Sequence, residues 1–264
     1  MRIAFCLPVH ERNDVICNVI ENIQKFVKDP LIIIHVNKFW DGFDYSIPEK
    51  YKNVHVNPDR VFGVKFESQL PLIISNFEYA KQFGFDYYCI FHTNEMLIKS
   101  GLEDYISDNE MSHHHFPNVK HQNTVNVLNN TKLLDLVPVN HIFNNHVEGN
   151  FFKKELFQNV VDYIKTEMPN MIDFKGAVEE TLIPTLAYHF ADKNKVVLPY
   201  LRSFYHENLQ INEDVINTCL QDKLMIKSYY DIPMFTNMLF SVKPINREMN
   251  DPVRKYINNL DTNN

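Results

Sequence analysis

Apolar and polar residues alternate in blocks along the first part of the chain. Residues 2–9 and 31–36 are short and almost continuously apolar, which is typical of strands buried on both faces. Residues 13–27 lie between them and place apolar side chains at helical spacing, with polar Asn13 and Asp14 at the start. Strand, helix and strand in this order predict a parallel βαβ unit.

The alternation continues to residue 107. Residues 54–56 predict a third strand, residues 68–83 a second helix, and residues 86–92 a strand rich in Tyr, Ile and Phe. Residues 1–107 are therefore predicted to form an alternating α/β sheet, mixed but mostly parallel and flanked by helices.

The pattern weakens over residues 108–145, which carry Asn, His and Pro and only short apolar stretches. This segment is predicted to be a loop-rich insertion. Helical spacing returns at residues 153–164 and 179–190, and residues 196–201 predict another strand. From residue 212 onwards, predicted helix alternates with short extended pieces, and the chain ends in a polar tail.

Length and charge limit the class of protein. The chain has 264 residues, 45% of them hydrophobic, which suits one domain, 1–264, with halves 1–107 and 146–264 around the insertion. Its formal charge is -7 and it has no Lys/Arg block, whereas a nucleic-acid-binding protein needs a basic stripe for phosphate contacts. We therefore expect no nucleic-acid partner.

The apolar run that begins at Ile3 is too short for a signal peptide or a membrane span. We expect a cytoplasmic protein that starts at Met1 and has no membrane span. The cysteines are widely separated and form no C-x-x-C pair, so free buried thiols are expected rather than disulfides or a zinc site. They are Cys6, Cys17, Cys89 and Cys219.

Several common nucleotide and hydrolase motifs are absent. None of the six glycines falls in a G-x-G-x-x-G or G-x-x-x-x-G-K-[ST] arrangement, which disfavours dinucleotide oxidoreductases and P-loop kinases. No G-x-S-x-G elbow is present, which disfavours an α/β-hydrolase. No Asp-x-Asp occurs either, so Lys and Arg side chains would neutralise a bound diphosphate unless another carboxylate set holds a metal.

Polar side chains follow three of the predicted strands. Residues 10–12 are His-Glu-Arg, residues 37–38 are Asn-Lys, and residues 93–95 are Thr-Asn-Glu. Ligands of open α/β sheets bind beyond the carboxyl ends of the strands, so these residues could line a nucleotide cleft. Loops are commonly polar, however, and the pattern fits ordinary solvated loops equally well.

Four segments between Ile3 and Pro244 can be compared with the sequence motifs of a known family. They are Ile3-Ala-Phe-Cys-Leu-Pro-Val-His10 joined by a helix to Ile33-Ile-His-Val-Asn37, then Tyr87-Tyr-Cys-Ile-Phe-His-Thr-Asn-Glu95-Met-Leu-Ile-Lys99-Ser100, then Val178-Glu-Glu180-Thr-Leu-Ile-Pro-Thr-Leu186, and Leu239-Phe-Ser-Val-Lys243-Pro244. In order and approximate spacing they resemble the core-2/I-branching β-N-acetylglucosaminyltransferase and peptide O-xylosyltransferase family, glycosyltransferase family 14. That family's corresponding motifs are His-Val-Asp, Asp-Tyr-Pro-Leu-Lys-Thr, Pro-Asp-Glu with Thr-Leu, and Phe-Ala-Arg-Lys-Phe.

The resemblance implies a GT-A-type nucleotide-binding fold and inverting, metal-independent sugar transfer. The donor would be a UDP-sugar, GlcNAc- or xylose-like, the acceptor a glycan or glycoconjugate hydroxyl, and no cofactor other than this donor substrate is expected. The chain departs from the family at Asn37, Glu95 and Glu179, each of which replaces an Asp, and the last segment keeps only the Lys of Arg-Lys-Phe. These departures bear on the donor more than on the reaction type.

The resemblance assigns Glu180 as the base that takes the proton of the acceptor hydroxyl. Glu179 is interpreted as its structural neighbour. By local pattern alone, two glutamates at a predicted helix start are typical of solvated acids that favour the helix N-terminus. Only the resemblance reverses that interpretation.

Three basic residues are candidates for binding the diphosphate. Lys243 matches the family lysine with that role, and Lys227 resembles the family's second basic residue at a shortened spacing. Arg202, which ends the predicted strand at 196–201, is an alternative for the same role. A single Lys or Arg is ordinarily a solvated surface residue. Only for Lys243 does the resemblance favour the binding role over that ordinary position.

Other polar residues complete the predicted site. His10 and Asn37 would line the base and ribose end of the donor, and Glu95 would lie near its sugar or diphosphate. Three consecutive histidines, residues 113–115, could suggest a metal, but neighbouring imidazoles point in different directions, so we expect them to be solvated. No metal site is expected.

Two alternatives remain open at this level. One is a metal-dependent transferase of another GT-A family, in which Glu95 and a histidine hold the cation. The other is a non-catalytic nucleotide-sugar- or carbohydrate-binding protein, suggested by the departures at Asn37, Val242 and Pro244. Golgi members of the family carry a membrane anchor, which this chain is expected to lack. We therefore expect a bacterial or viral cytoplasmic enzyme of polysaccharide or glycoconjugate synthesis, by analogy with the family.

Overall fold

The computed structural model of the chain describes residues 1–61, 68–114, 120–204, 210–227 and 233–262. The strands are β1 Ile3–Val9, β2 Leu31–Val36, β3 Val54–Val56, β4 Tyr87–Ile90, β5 Met96–Leu97, β6 Met111–Ser112, β7 Phe151–Lys153, β8 Val196–Val197, β9 Leu201–Ser203, β10 Met225–Lys227, β11 Pro233–Phe235 and β12 Ser241–Lys243. The α-helices are α1 Asn13–Phe26, α2 Leu70–Ala80, α3 Leu102–Ile106, α4 Gln122–Asn130, α5 Leu133–Leu136, α6 Lys154–Glu167, α7 Glu179–Phe190, α8 Glu213–Leu220 and α9 Pro252–Asn259. Short 3-10 helices span Pro48–Lys50, Lys81–Phe83, Val139–His141, Pro169–Met171, Lys193–Lys195 and Thr236–Met238.

The main sheet has seven strands in the order β3-β2-β1-β4-β7-β6-β8. Strands β3, β2, β1 and β4 are mutually parallel, and Cys6 in β1 pairs with Ile33 in β2 and with Ile90 in β4. Strand β7 is antiparallel to β4 and β6, and β8 is parallel to β6. The predicted α/β class with a mixed, mostly parallel sheet is confirmed.

Helices cover both faces of this sheet, which explains why its central strands are continuously apolar. Alternate residues of β1 point to opposite faces, and Phe5 and Leu7 pack in one core with α1, α8 and α9. Ala4 and Cys6 pack in a second core with α2, α6 and α7. The result is a layer of helices on each side of the sheet.

A second sheet lies on the face of α1. Its order is β5-β12-β9, with β12 antiparallel to β5 and parallel to β9. The side chain of Asn22 in α1 accepts from the backbone N–H of Leu97 at 2.8 Å and donates to its carbonyl at 2.9 Å, so the edge of β5 is satisfied by the helix. Strands β10 and β11 form a separate antiparallel pair.

The predicted strand at 196–201 is wrong as a single element. The chain forms β8 in the main sheet and β9 in the second sheet, with Pro199 between them. Proline has no N–H to donate to a strand ladder, so pairing ends there and the chain changes sheets. The predicted loop-rich segment 108–145 also contains more structure than expected, because it includes β6, α4 and α5.

The predicted free thiols are confirmed, with three of the four cysteines buried and Cys17 partly exposed. In the portion of the chain that the structure describes, no helix has both the length and the apolar character needed to cross a bilayer.

Candidate active site

The topology of the sheet creates a crevice beyond the carboxyl ends of β1 and β4. Strand β2 lies on one side of β1 and β4 on the other, and the connecting helices α1 and α2 cover opposite faces. Ligands of open α/β sheets bind at such a reversal of strand order. The loops that begin there are residues 10–12 after β1 and 91–95 after β4.

Lys243 lies in a buried charged cluster at this crevice. Its Nζ donates to Glu148 Oε1 at 2.6 Å and lies 3.4 Å from His92 Nδ1. His92 Nδ1 lies 3.1 Å from the same oxygen, and His92 Nε2 lies 3.1 Å from Gln69 Oε1. The side chain of Lys243 is only 4% exposed and that of Glu148 only 10%, so each charge depends on the other for compensation.

The pleat of β12 orients Lys243 toward this cluster. Val242 packs in the apolar core, and alternation along the strand puts Ser241 and Lys243 on the opposite face. Ser241 Oγ donates to Glu95 Oε1 at 2.7 Å. Glu95 is completely buried, and within the described residues its Oε2 has no hydrogen-bond partner.

Gly149 allows Glu148 to reach Lys243. Its φ is +72°, a conformation that L side chains rarely adopt, and a Cβ at this position would overlap the Cβ of Leu201. The Gly149 carbonyl accepts from the backbone N–H of Tyr200 at 3.0 Å, which joins the Glu148 loop to the start of β9. Glycine is therefore required both for the backbone conformation and for the close approach.

Replacing Gly149 with Ala should lower the free energy of unfolding by about 2 kcal/mol more than the same change at Gly84, because overpacking adds to the cost of positive φ. Gly84 has φ +70° but an added Cβ there meets nothing within 4 Å, so Gly84→Ala should cost about 1 kcal/mol. Urea unfolding of both variants measures the difference. Equal losses at the two sites would show that Leu201 moves aside freely.

Pro184 leaves a backbone carbonyl at the start of α7 free to bind the loop that carries Glu148. It lies inside the helix and has no N–H, so the carbonyl of Glu180, four residues earlier, loses its usual helical partner. That carbonyl accepts instead from the backbone N–H of Asn145 at 2.9 Å. This bond brings His146 and Glu148, the next residues along the loop, beside the first turn of α7.

The two glutamates at the start of α7 have different surroundings. Glu179 is buried, and its Oε2 accepts from Ser68 Oγ at 2.8 Å and from the Gln69 N–H at 3.1 Å. The Glu180 side chain is 24% exposed, and its Oε1 lies 3.7 Å from His146 Nδ1. Glu179 is therefore not a solvated acid, and Glu180 is the one of the two that reaches solvent.

Burial and charge shift the pKa values of the buried cluster in opposite directions. Burial raises the pKa of Glu148, but the charge and hydrogen bond of Lys243 outweigh it and hold that pKa far below its usual value. Burial, with a smaller contribution from Lys243, lowers the pKa of His92 to about 3, so this imidazole is neutral. Burial raises the pKa of Glu95 to about 8 despite the opposing effects of Lys243 and Ser241.

The pKa values of the α7 carboxyls are also raised. Burial brings the pKa of Glu179 to about 7 against the lowering effect of its hydrogen bonds. Burial, followed by repulsion from Glu179 and Glu148, raises the pKa of Glu180 to about 8. A carboxyl with this pKa exchanges its proton near neutral pH, which suits a general base.

The other predicted residues lie at different places. His10 is exposed after β1, and Asn37 follows β2, where its backbone N–H donates to the Val9 carbonyl at 3.0 Å. Arg202 pairs in register with Val242, so the pleat directs it to the face opposite Lys243, where its guanidinium lies 4.8 Å from the Phe204 ring centre.

Lys227 is exposed on the β10–β11 pair. This pair is separate from the main sheet and from the sheet that carries Lys243. The structure thus groups Glu180, Lys243 and Glu95 around one crevice, and it places Arg202 and Lys227 apart from that group.

Sequence reasoning missed three members of the cluster, His92, His146 and Glu148. His92 was only the end of a predicted strand, and His146 and Glu148 lie just beyond the predicted insertion. The one local signal was Gly149 directly after Glu148, since glycine in an irregular segment often marks a close backbone approach.

The expected solvation of residues 113–115 is wrong for the two histidines that the structure describes. His113 is completely buried and His114 is 8% exposed, and the third histidine lies outside the described residues. The His113 ring contacts those of Phe143 and Tyr188, with centroids 4.5 Å and 4.9 Å away. Among the described side chains, no set of three or more His, Cys, Asp or Glu is arranged to hold a metal ion.

An open cavity of about 910 Å³ lies beside the carboxyl ends of β2 and β3. Lys38 and Arg60 line its end nearest Asn37, and Arg60 donates to the Asn37 carbonyl at 2.7 Å. The remainder follows α2 toward Lys165 and Ile172. None of its lining residues belongs to the charged cluster, so the cavity and the cluster are separate parts of this side of the sheet.

No family model matches the chain, and no curated protein sequence matches it. Similar solved structures include the galactosyltransferase LgtC in complex with donor and acceptor sugar analogues, at 7% identity and a TM-score of 0.47, covering 98% of this chain and 95% of that chain. An active-site mutant of LgtC is similar at 9% identity and a TM-score of 0.48, with the same coverage of both chains. The chemistry of the site is therefore argued from the residues of this chain alone.

Proposed function

We propose that the chain is an inverting, metal-independent glycosyltransferase with a GT-A-type fold, which transfers a sugar from a UDP-sugar to a glycan or glycoconjugate hydroxyl. The observation that carries the proposal is the convergence of Glu180 and Lys243. Family 14 resemblance assigns them the base and the diphosphate contact, and His146 and Glu148 link them across one crevice at 2.6–3.8 Å steps.

The reaction needs a base and a fixed positive charge. Glu180 takes the proton of the acceptor hydroxyl as that oxygen forms a bond to the anomeric carbon, and the bond from this carbon to the diphosphate oxygen breaks. The nucleoside diphosphate leaves with the bonding electron pair. Lys243 stabilises the negative charge that develops there, with the phosphate oxygens competing against Glu148 for its ammonium group.

The nucleoside end of the donor is assigned to the ends of β1 and β2. His10 and Asn37 lie there, and the cavity beginning at Lys38 and Arg60 gives room for a base and ribose. Glu95 is buried behind Ser241, so in this proposal it supports the Lys243 strand rather than contacting the sugar. That burial also disfavours the alternative in which Glu95 is a metal ligand.

A panel of nucleotide sugars, measured first by thermal shift and then by transfer, tests the proposal. A UDP-sugar at about 100 times its Kd should raise Tm by several degrees, since binding to the native state adds about 2.7 kcal/mol. UMP, which lacks the second phosphate, is the matched control and should give a smaller shift. Transfer should persist in EDTA.

Three outcomes would contradict the proposal. Absence of a shift with every nucleotide sugar would exclude donor binding. Saturable binding without transfer or donor hydrolysis would identify a non-catalytic binding protein. Loss of transfer in EDTA that Mn²⁺ restores would identify a metal-dependent enzyme instead.

A further inference from the structure

We infer that His146 is the positioning residue that favours the ionised form of Glu180, by holding a positive charge between the carboxylates of Glu180 and Glu148. The inference rests on the proposed role of Glu180 as base. It assigns a function to a residue that the resemblance does not cover.

The geometry places one imidazole nitrogen between two carboxylates. His146 Nδ1 lies 3.7 Å from Glu180 Oε1 and 3.8 Å from Glu148 Oε2. Opposite charges at such distances favour each other's ionised form. The His146 side chain is 31% exposed, so it reaches the solvent-facing part of the crevice, as Glu180 does.

Glu180 needs such a partner because the other groups facing it are mostly acidic. The charged ones are Glu179 on the same helix, Glu148 on the preceding loop and Lys243 on β12, and the side chain of Asn123 on α4 adds a neutral hydrogen bond. Lys243 is already held by Glu148 at 2.6 Å. Among the described residues, His146 is therefore the side chain within 4 Å of Glu180 that can take up a positive charge.

The position of His146 is set by the backbone and not by a flexible surface loop. Asn145, the residue before it, donates its N–H to the Glu180 carbonyl that Pro184 leaves free. Asn144 donates through Nδ2 to Thr181 Oγ1 at 3.0 Å. The loop is thus tied to the same helix turn that carries Glu180, which keeps the imidazole and the carboxylate in register.

In chemical terms, His146 and Glu180 share one proton before the reaction. With the proton on the imidazole, Glu180 is a carboxylate and can accept the acceptor's proton. With the proton on Glu180, the base is blocked. Negative charge on Glu148 stabilises the imidazolium and so favours the first arrangement.

The test compares H146Q, H146K and the control H141Q, an imidazole on the 3-10 helix before the loop. Carboxyl ¹³C NMR, with E180Q to assign the signal, measures the titration midpoint of Glu180 without any substrate. We expect this midpoint to rise by about 1 pH unit in H146Q and to stay near the wild-type value in H146K, whose charge is permanent. H141Q should match the wild type.

The pH profile of transfer provides the second measurement. The rising limb should shift upward with the NMR midpoint, so that H146Q is roughly tenfold slower than wild type at pH 7 and nearly equal above about pH 10. H146K should restore the rate at pH 7, which a merely structural role would not predict.

An unchanged Glu180 midpoint in H146Q overturns the inference, whatever the transfer rate. A shifted midpoint together with wild-type transfer by E180Q leaves the electrostatic coupling intact and overturns the base assignment instead. The two failures are thereby distinguished.

Discussion

Glu180→Gln should reduce kcat for sugar transfer by about 10²–10⁴-fold, the usual contribution of a general base. Glutamine keeps the size and polarity of the side chain but cannot accept the acceptor's proton. Because burial raises the pKa of Glu180 to about 8, the wild-type rate should increase with pH through this region, as the carboxylate forms. The residual activity of the variant should lack that rising limb.

The same substitution should leave folding and donor binding intact. The neutral amide resembles the protonated carboxyl, so the free energy of unfolding should not fall, and Lys243 is untouched. Glu213→Gln, at the exposed first position of α8, is the matched control for a carboxylate at a helix start and should transfer normally. Wild-type kcat in Glu180→Gln would refute the assignment of the base.

Lys243→Met should lower the free energy of unfolding by about 3–5 kcal/mol at pH 7, because it leaves Glu148 as an uncompensated buried charge. Charge pairing holds the pKa of Glu148 below its unfolded value, so it stabilises the fold above that unfolded pKa and this contribution is lost as pH falls. The deficit of the variant should therefore shrink in acid. Urea unfolding at several pH values measures it.

A double variant separates the structural role of Lys243 from its proposed binding role. Adding Glu148→Gln to Lys243→Met removes the unpaired charge and should restore most of the stability. UDP binding, measured by calorimetry, should stay at least about tenfold weaker than in wild type, since the ammonium contact to phosphate is still missing. Lys255→Met, on the exposed surface of α9, is the control for both measurements.

Two results would contradict this account. Wild-type UDP affinity in the double variant would show that Lys243 only compensates Glu148. Unchanged stability in Lys243→Met would show that Glu148 takes up a proton or rearranges at little cost.

Much of the fold follows from local sequence. Residues 31–36 and 54–56 form strands with the predicted bounds, and α7 spans the predicted 179–190. Strands covered by helices on both faces are apolar throughout, and a helix that packs on a sheet repeats its apolar residues every three or four positions. Such patterns depend on neighbours along the chain and are visible without the tertiary structure.

Two irregular features, at Pro184 and Gly149, can be recognised in the sequence, but their structural roles depend on residues elsewhere in the chain. Pro184 inside α7 and Gly149 after Glu148 are both visible in the sequence, as a helix-breaking residue in a helical pattern and as a glycine in an irregular loop. Their partners, Asn145 and Leu201, lie on other segments. The structure shows that Pro184 leaves a helix carbonyl free to accept from Asn145. Gly149 allows its backbone to lie close to Leu201.

The sequence by itself determined the α/β class, the order of the central elements, the free cysteines, and the candidates Glu180 and Lys243 through a family resemblance. Only the tertiary structure decided that these two share a crevice with Glu148, His92 and His146. The physical reason is that a buried charge needs compensation at contact distance, and the partners are far apart in the chain, since Lys243 contacts residues 95 and 151 positions away. No local pattern specifies which distant carboxylate, imidazole or ammonium group the fold brings together.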